Sequence, residues 1–192
     1  MMRFLIIVTL LLCSSCIQLG GETPVRQYYV LRAMTETSQI NSSKAIAIDL
    51  KLTNFPEYLS RTEIVTYIQT NRVKIAYDAS WAEPLADNLL RILRRNLGTL
   101  LPLSQISLSP WESNNPEALR VELLVNNFSG QLGGETDVDI HWLIKKDNQI
   151  IDQGQFIKRQ QLGESYSDLV DGLSQGVDLL SRVLAEKLAE EK

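Results

Sequence analysis

Residues 118–160 read ALRVELLVNNFSGQLGGETDVDIHWLIKKDNQIIDQGQFIKRQ, and their patterning decides the fold class. Leu119, Val121, Leu123 and Val125 occupy alternate positions, as do Val138, Ile140, Trp142 and Ile144. A period of two puts one set of side chains on one face of a strand, so each run predicts a strand with one buried face. Gly133-Gly134 and Asp147-Asn148 separate the runs, and these are residue types that turns favour. Three strands joined by short turns form an antiparallel meander.

The period then changes. Leu169, Val170, Leu173, Val177, Leu180, Val183, Leu184 and Leu188 recur at steps of three and four, which predicts an amphipathic helix starting near Ser165, with Asp168 three residues on. A second helix is expected upstream. Ser80-Trp81-Ala82-Glu83 has capping-box spacing, and Pro84 is tolerated in a first turn. Leu85, Leu89, Ile92, Leu93 and Leu97 supply its apolar stripe. Arg91, Arg94 and Arg95 lie toward its C-terminal end, where cations complement the helix dipole, and Gly98 is the expected stop.

Further strands are read from QYYVLRA (27–33), KAIAIDLKL (44–52) and LSQISLS (103–109). In the second of these, Ile46, Ile48, Leu50 and Leu52 share a buried face, while Ala45, Ala47, Asp49 and Lys51 point outward. EIVTYIQ (63–69) and RVKIAYD (72–78) form a hairpin around Thr70-Asn71. Strands with two amphipathic helices predict an α+β two-layer sandwich: a mixed, mainly antiparallel sheet with both helices packed on one face.

The N-terminus carries a different signal. Arg3 precedes the apolar run Phe4 to Leu12, about half the roughly 20 residues that a membrane span needs. That length fits the hydrophobic region of a signal peptide. Ser14-Ser15-Cys16 resembles a bacterial lipobox, cut before a cysteine that then carries lipid. Cys13 follows the bulky Leu12 and is the poorer candidate. The expected organisation is a signal peptide over 1–15, a tether over 16–26 containing Gly20-Gly21 and Pro24, and a single domain over 27–192. A plain secretory signal cut near Ser15 is the alternative. Ile17 stands where lipoproteins retained at the inner membrane typically carry Asp, so outer-membrane anchoring facing the periplasm is expected.

A net charge of −4 gives no electrostatic footprint for nucleic acid. Catalytic material is sparse. His141 is the single histidine and sits in a strand pattern beside Asp139 and Lys145. One histidine and one cysteine left after cleavage do not build an ordinary zinc site. No Gly-x-Ser-x-Gly elbow is present. The pairs Asp137/Asp139 and Glu190/Glu191 read as solvated faces, and Gly133-Gly134 lacks the strand–loop–helix setting that cradles phosphate. The chain is therefore expected to be non-enzymatic, with no cofactor and no metal.

Three groups of residues, with the lipobox, resemble the PqiC family of auxiliary lipoproteins of MCE-type transport systems. They are Tyr28, Tyr29 and Leu31; Pro56, Tyr58, Leu59 and Arg61; and Trp81-Ala82-Glu83-Pro84-Leu85 closing on Asn96-Leu97. Ser80 departs from the arginine that the family often carries. The resemblance implies an outer-membrane accessory subunit that docks the periplasmic tunnel of an MCE-domain partner, in lipid traffic between membranes that supports envelope integrity. Pro56, Tyr58, Leu59, Arg61 and Trp81 are the candidate partner-contact residues. The alternative is that the residues from Pro56 to Arg61 plug one end of the core and that Trp81 packs on the sheet. A lipid ligand and a homo-oligomer are left open. The competing reading, a free-standing lipoprotein that binds a small envelope ligand or acts as an enzyme, predicts a deep polar pocket around His141 or the carboxylates.

Overall fold

The computed structural model describes residues 25–35, 39–40, 45–109 and 115–190. The signal peptide, Cys16 and nearly all of the tether lie outside them. The chain forms β1 (Gln27–Tyr29), β2 (Ala47–Asn54), a 3-10 turn (Glu57–Leu59), β3 (Glu63–Gln69), β4 (Arg72–Trp81), α1 (Leu85–Leu100), β5 (Gln105–Leu108), β6 (Leu119–Gly130), β7 (Glu135–Lys146), β8 (Gln149–Gln161) and α2 (Tyr166–Glu190).

The strands divide between two sheets, ordered β1-β4-β3 and β5-β2-β6-β7-β8. In the larger sheet β2 runs parallel to both β5 and β6, and the β6–β7–β8 meander is antiparallel throughout. Its turns are those read from sequence: Gly133, Asp147 and Asn148 all take positive φ. Ile48, Leu50, Val121, Leu123, Val138 and Ile140 are fully buried beneath the helices. α2 approaches β7 closely because Gly172 and Gly176 face it. A Cβ on either would come within 2.7 Å of Thr136 or 2.9 Å of Val138. The core is thus a helix layer on a sheet layer, as the periodicity requires.

Local expectations fail where tertiary pairing intervenes. Ser80 does not cap α1. β4 continues through Trp81, whose N–H donates to the Thr62 carbonyl, and Ser80 pairs with Tyr28 of β1. The helix begins after Pro84, with no side-chain cap. Glu83 instead accepts from the Asn88 amide and the Arg91 guanidinium. Gly98 lies inside the helix, which runs on to Leu100. At α2 the capping box does form: Asp168 accepts from the Ser165 N–H at 3.1 Å, and its own N–H donates to Ser165 Oγ at 3.1 Å. Asp49, expected on the outer face, is only 2 % exposed and lies 3.6 Å from Arg120, its direct cross-strand partner.

The first strand is shorter than its sequence suggests. β1 ends at Tyr29, and the segment after it is held by side chains of α1 rather than by a neighbouring strand. The Leu31 N–H donates to Asn88 Oδ1 at 2.7 Å, and the Met34 N–H donates to Asn96 Oδ1 at 2.9 Å. Both asparagines are fully buried.

Candidate functional site

The segment from Pro56 to Arg61 leaves β2, forms the 3-10 turn and enters β3. Leu59 packs into the core at 3 % exposure. Tyr58, on the same turn, reaches toward the end of β6. Its hydroxyl lies 2.7 Å from the Tyr67 hydroxyl and donates to Asn127 Oδ1 at 3.2 Å. The two rings sit 6.5 Å apart at a tilt of 59°. Asn127 then donates through Nδ2 to Asp137 at 2.9 Å, and Arg159 Nε donates to the other Asp137 oxygen at 3.4 Å. A chain of hydrogen bonds therefore runs from the 3-10 turn through β3 and β6 to β7 and β8, tying the small sheet to the large one.

Burial, then the neighbouring Tyr67 hydroxyl and the Asp137 charge, push the Tyr58 hydroxyl well above the usual phenol range. It remains a neutral donor at any physiological pH. Beside the network lies an open cavity of about 430 Å³ whose wall includes Tyr67, Thr70, Asn127, Gln131, Asp137 and Arg159. This wall of amides, hydroxyls and one ion pair offers hydrogen bonds to a partner but no nucleophile paired with a base.

Of the sequence-predicted contact residues, Pro56, Tyr58 and Arg61 are wholly or partly accessible. Arg61 forms a 3.6 Å ion pair with Glu63 and keeps half of its side chain in solvent. Leu59 and Trp81 are buried, Trp81 at 4 %, and belong to the core. The five residues therefore do not form one surface. Sequence reading missed Tyr67, Asn127 and Asp137. The available signal was the break in alternation at Asn126-Asn127, where the β6–β7 register shifts in the structure. His141 lines a separate cavity of about 380 Å³ with Thr53, Glu122, Leu124, Asn126 and Leu143. Its wall is mostly apolar, unlike the polar pocket that an enzyme reading expects. Among the described residues no cluster of His, Cys, Asp and Glu is placed to hold a metal ion.

Residues 29–185 match the profile of the family described as "ABC-type transport auxiliary lipoprotein component". The chain belongs to that family. This auxiliary lipoprotein is 27 % identical over 177 residues to the intermembrane transport lipoprotein PqiC of Escherichia coli K12, covering 91 % of this chain and 90 % of the relative. The PqiC of Shigella flexneri matches to the same extent. Two crystal structures share its fold. One is an uncharacterized protein with a TM-score of 0.71 at 23 % identity, covering 85 % of this chain and 98 % of that one. The other is a Xanthomonas campestris protein with a TM-score of 0.66 at 11 % identity, covering 82 % and 90 %.

Proposed function

We propose that this auxiliary lipoprotein is anchored by lipid on Cys16 in the outer membrane, facing the periplasm, and docks the far end of an MCE-domain tunnel without catalysing a reaction of its own. The observation that carries this reading is the match along nearly the whole chain to intermembrane transport lipoproteins, joined to the Ser14-Ser15-Cys16 signal. The geometry adds a docking segment. Tyr58 is locked by the network described above, so Pro56 and Arg61 are presented on a turn whose base is fixed in the core by Leu59. Tyr and Arg are enriched where a few residues dominate binding energy, and a fixed turn loses little conformational entropy on docking. Residues 27–192 act as one domain on a short tether.

The test is a pull-down of the lipidated protein from membranes followed by mass spectrometry, with Cys16→Ala and Arg61→Glu in parallel. Recovery of an MCE-domain protein, reduced in both variants, is the expected result. Wild-type protein in the outer-membrane fraction with no MCE protein recovered would refute docking and leave ligand binding at the His141 cavity as the reading to pursue.

A further inference from the structure

Several exposed apolar side chains lie on the small sheet. Ile68, Val73 and Ile75 are 43 %, 44 % and 45 % exposed, and Tyr77 is 71 % exposed. Val73, Ile75 and Tyr77 alternate along β4 and therefore share one face. Arg72 and Lys74 are exposed at the alternate positions of the same strand, on its other face. Among the described residues β4 is paired with β1 only over Ala79–Trp81, and its earlier residues have no strand partner on that side. An apolar and aromatic strip, backed by cations on the other face of the strand, lacks a partner among the described residues.

The topology says what lies opposite it. β1 runs parallel to β4, with Gln27 beside Ala79 and Tyr29 beside Trp81. Val25 and Arg26 therefore lie on the side of Gln27 nearer the start of β4, which is the hairpin tip. Arg26 already follows this course, its guanidinium donating to the Tyr77 carbonyl at 3.4 Å. From Ala79 back to Arg72 the strand extends about 23 Å at roughly 3.3 Å per residue. The chain from Cys16 to Gln27 can span at most about 36–40 Å. A lipid on Cys16 can thus reach as far as the hairpin tip, which brings the tip within reach of the bilayer. No described helix is long and apolar enough to cross a membrane, so contact here would be with the surface.

We infer that the β3–β4 hairpin is a second, peripheral membrane contact, which seats Ile68, Val73, Ile75 and Tyr77 in the interface of the bilayer that holds the lipid anchor. The inference rests on the anchoring of Cys16 proposed above. Aliphatic side chains and a tyrosine suit the boundary between headgroups and acyl chains. Arg72 and Lys74 keep their charges at the headgroups while their stems lie along the apolar layer, and anionic lipid attracts them. The contact fixes the domain's orientation on the membrane, which a lipid anchor alone does not do. It leaves the Pro56–Arg61 turn to engage a partner from a defined direction.

Single cysteines at Val73, Tyr77 and Leu103 test it. Leu103 is 60 % exposed and precedes β5, at the end of the large sheet where β6 starts; the hairpin's Thr70 instead lines a cavity with Gln131, just beyond the end of β6. Each variant of the full-length lipidated protein is labelled with an environment-sensitive fluorophore and reconstituted in vesicles of phosphatidylethanolamine and phosphatidylglycerol at three to one. The expected result is blue-shifted emission at positions 73 and 77, quenched by doxyl-labelled lipid, with neither effect at 103. A label at 73 or 77 that stays water-exposed in membrane-bound protein overturns the hairpin contact and leaves the anchor intact. A label that is shielded but not quenched by lipid also overturns it, because protein then covers the strip. Protein that fails to fractionate with membranes removes the anchor, and the hairpin proposal with it. Circular dichroism of each variant separates these outcomes from misfolding.

Discussion

Asn96 offers the sharpest test of how this fold holds together. Its side chain is fully buried and makes three hydrogen bonds. Oδ1 accepts from the Met34 N–H at 2.9 Å, and Nδ2 donates to Asp178 Oδ1 at 2.9 Å and to Ser181 Oγ at 3.1 Å. Asn96→Ala removes all three. Neutral hydrogen bonds contribute about 1 kcal/mol net each, and one to a charged group about 1.5–3 kcal/mol. Alanine's higher helix propensity returns about 0.5 kcal/mol. The expected loss is therefore about 3–4.5 kcal/mol, or roughly 6–18 °C in Tm for a chain of this size. Urea denaturation followed by circular dichroism measures it.

Asn96→Asp adds a pH lever. It keeps the acceptor for Met34 but sets a second carboxylate against Asp178. Burial already raises the Asp178 carboxyl above its ordinary value, against the opposing pull of Asn96, Arg32 and Arg182. A carboxyl raised in the folded state contributes stability that is full below its unfolded pKa and lost as pH rises through its folded pKa. Two adjacent carboxylates enlarge that effect, because one of them is driven to hold a proton. The Asn96→Asp deficit should therefore be largest near neutral pH and shrink as the solution is acidified toward pH 5. A loss below about 1 kcal/mol for Asn96→Ala, a magnitude typical of a single ordinary hydrogen bond, would refute the claim that α1 pins the segment after β1.

Three further outcomes follow from the same coordinates. Gly154→Val should destabilise by about 1–3 kcal/mol or more and perturb the near-ultraviolet tryptophan signal, because a Cβ there would lie 2.2 Å from the Trp142 ring. Leu59→Ala should cost about 2–5 kcal/mol in urea denaturation, whereas Arg61→Ala should change stability by less than about 0.5 kcal/mol and act only on partner recovery. Hydrogen bonds from Ser165 hold the Asp168 carboxyl below its usual value, so its stabilising contribution is present above the unfolded pKa and is lost as pH falls through the folded one. Thermal melts of Ser165→Ala should accordingly be less sensitive than wild type to acidification below pH 4.

The candidate site was legible only in pieces. Tyr58 and Arg61 stood out because an aromatic and a cation beside Pro56 interrupt a strand pattern. Leu59 and Trp81 looked equivalent to them in sequence, since an apolar residue in a turn and a tryptophan before a helix serve equally in a core or in a contact. Burial separates them. Asn127 and Asp137 belong to strands far along the chain, and the break in alternation at Asn126-Asn127 marks an irregularity without naming its partner, a tyrosine about 70 residues earlier that donates to Asn127.

The sequence by itself determined the strand and helix periods, the meander turns at Gly133-Gly134 and Asp147-Asn148, the capping box at Ser165 and Asp168, and the apolar stripe of α2. Each is set by residues within a few positions of one another, where local geometry and side-chain period leave one low-energy answer. Tertiary structure alone decided how the strands divide into two sheets and that Ser80 extends a strand instead of starting a helix. It also decided that Asn88 and Asn96 replace a missing strand partner and that Asp49 is buried. In those places the competing local choices differ by about 1 kcal/mol or less, comparable to a cap or a single hydrogen bond. Pairing with β1 and with Thr62 adds several non-local contributions together and settles the course of Ser80, while Asp49 is buried 3.6 Å from Arg120 with neither carboxylate oxygen hydrogen-bonded among the described residues.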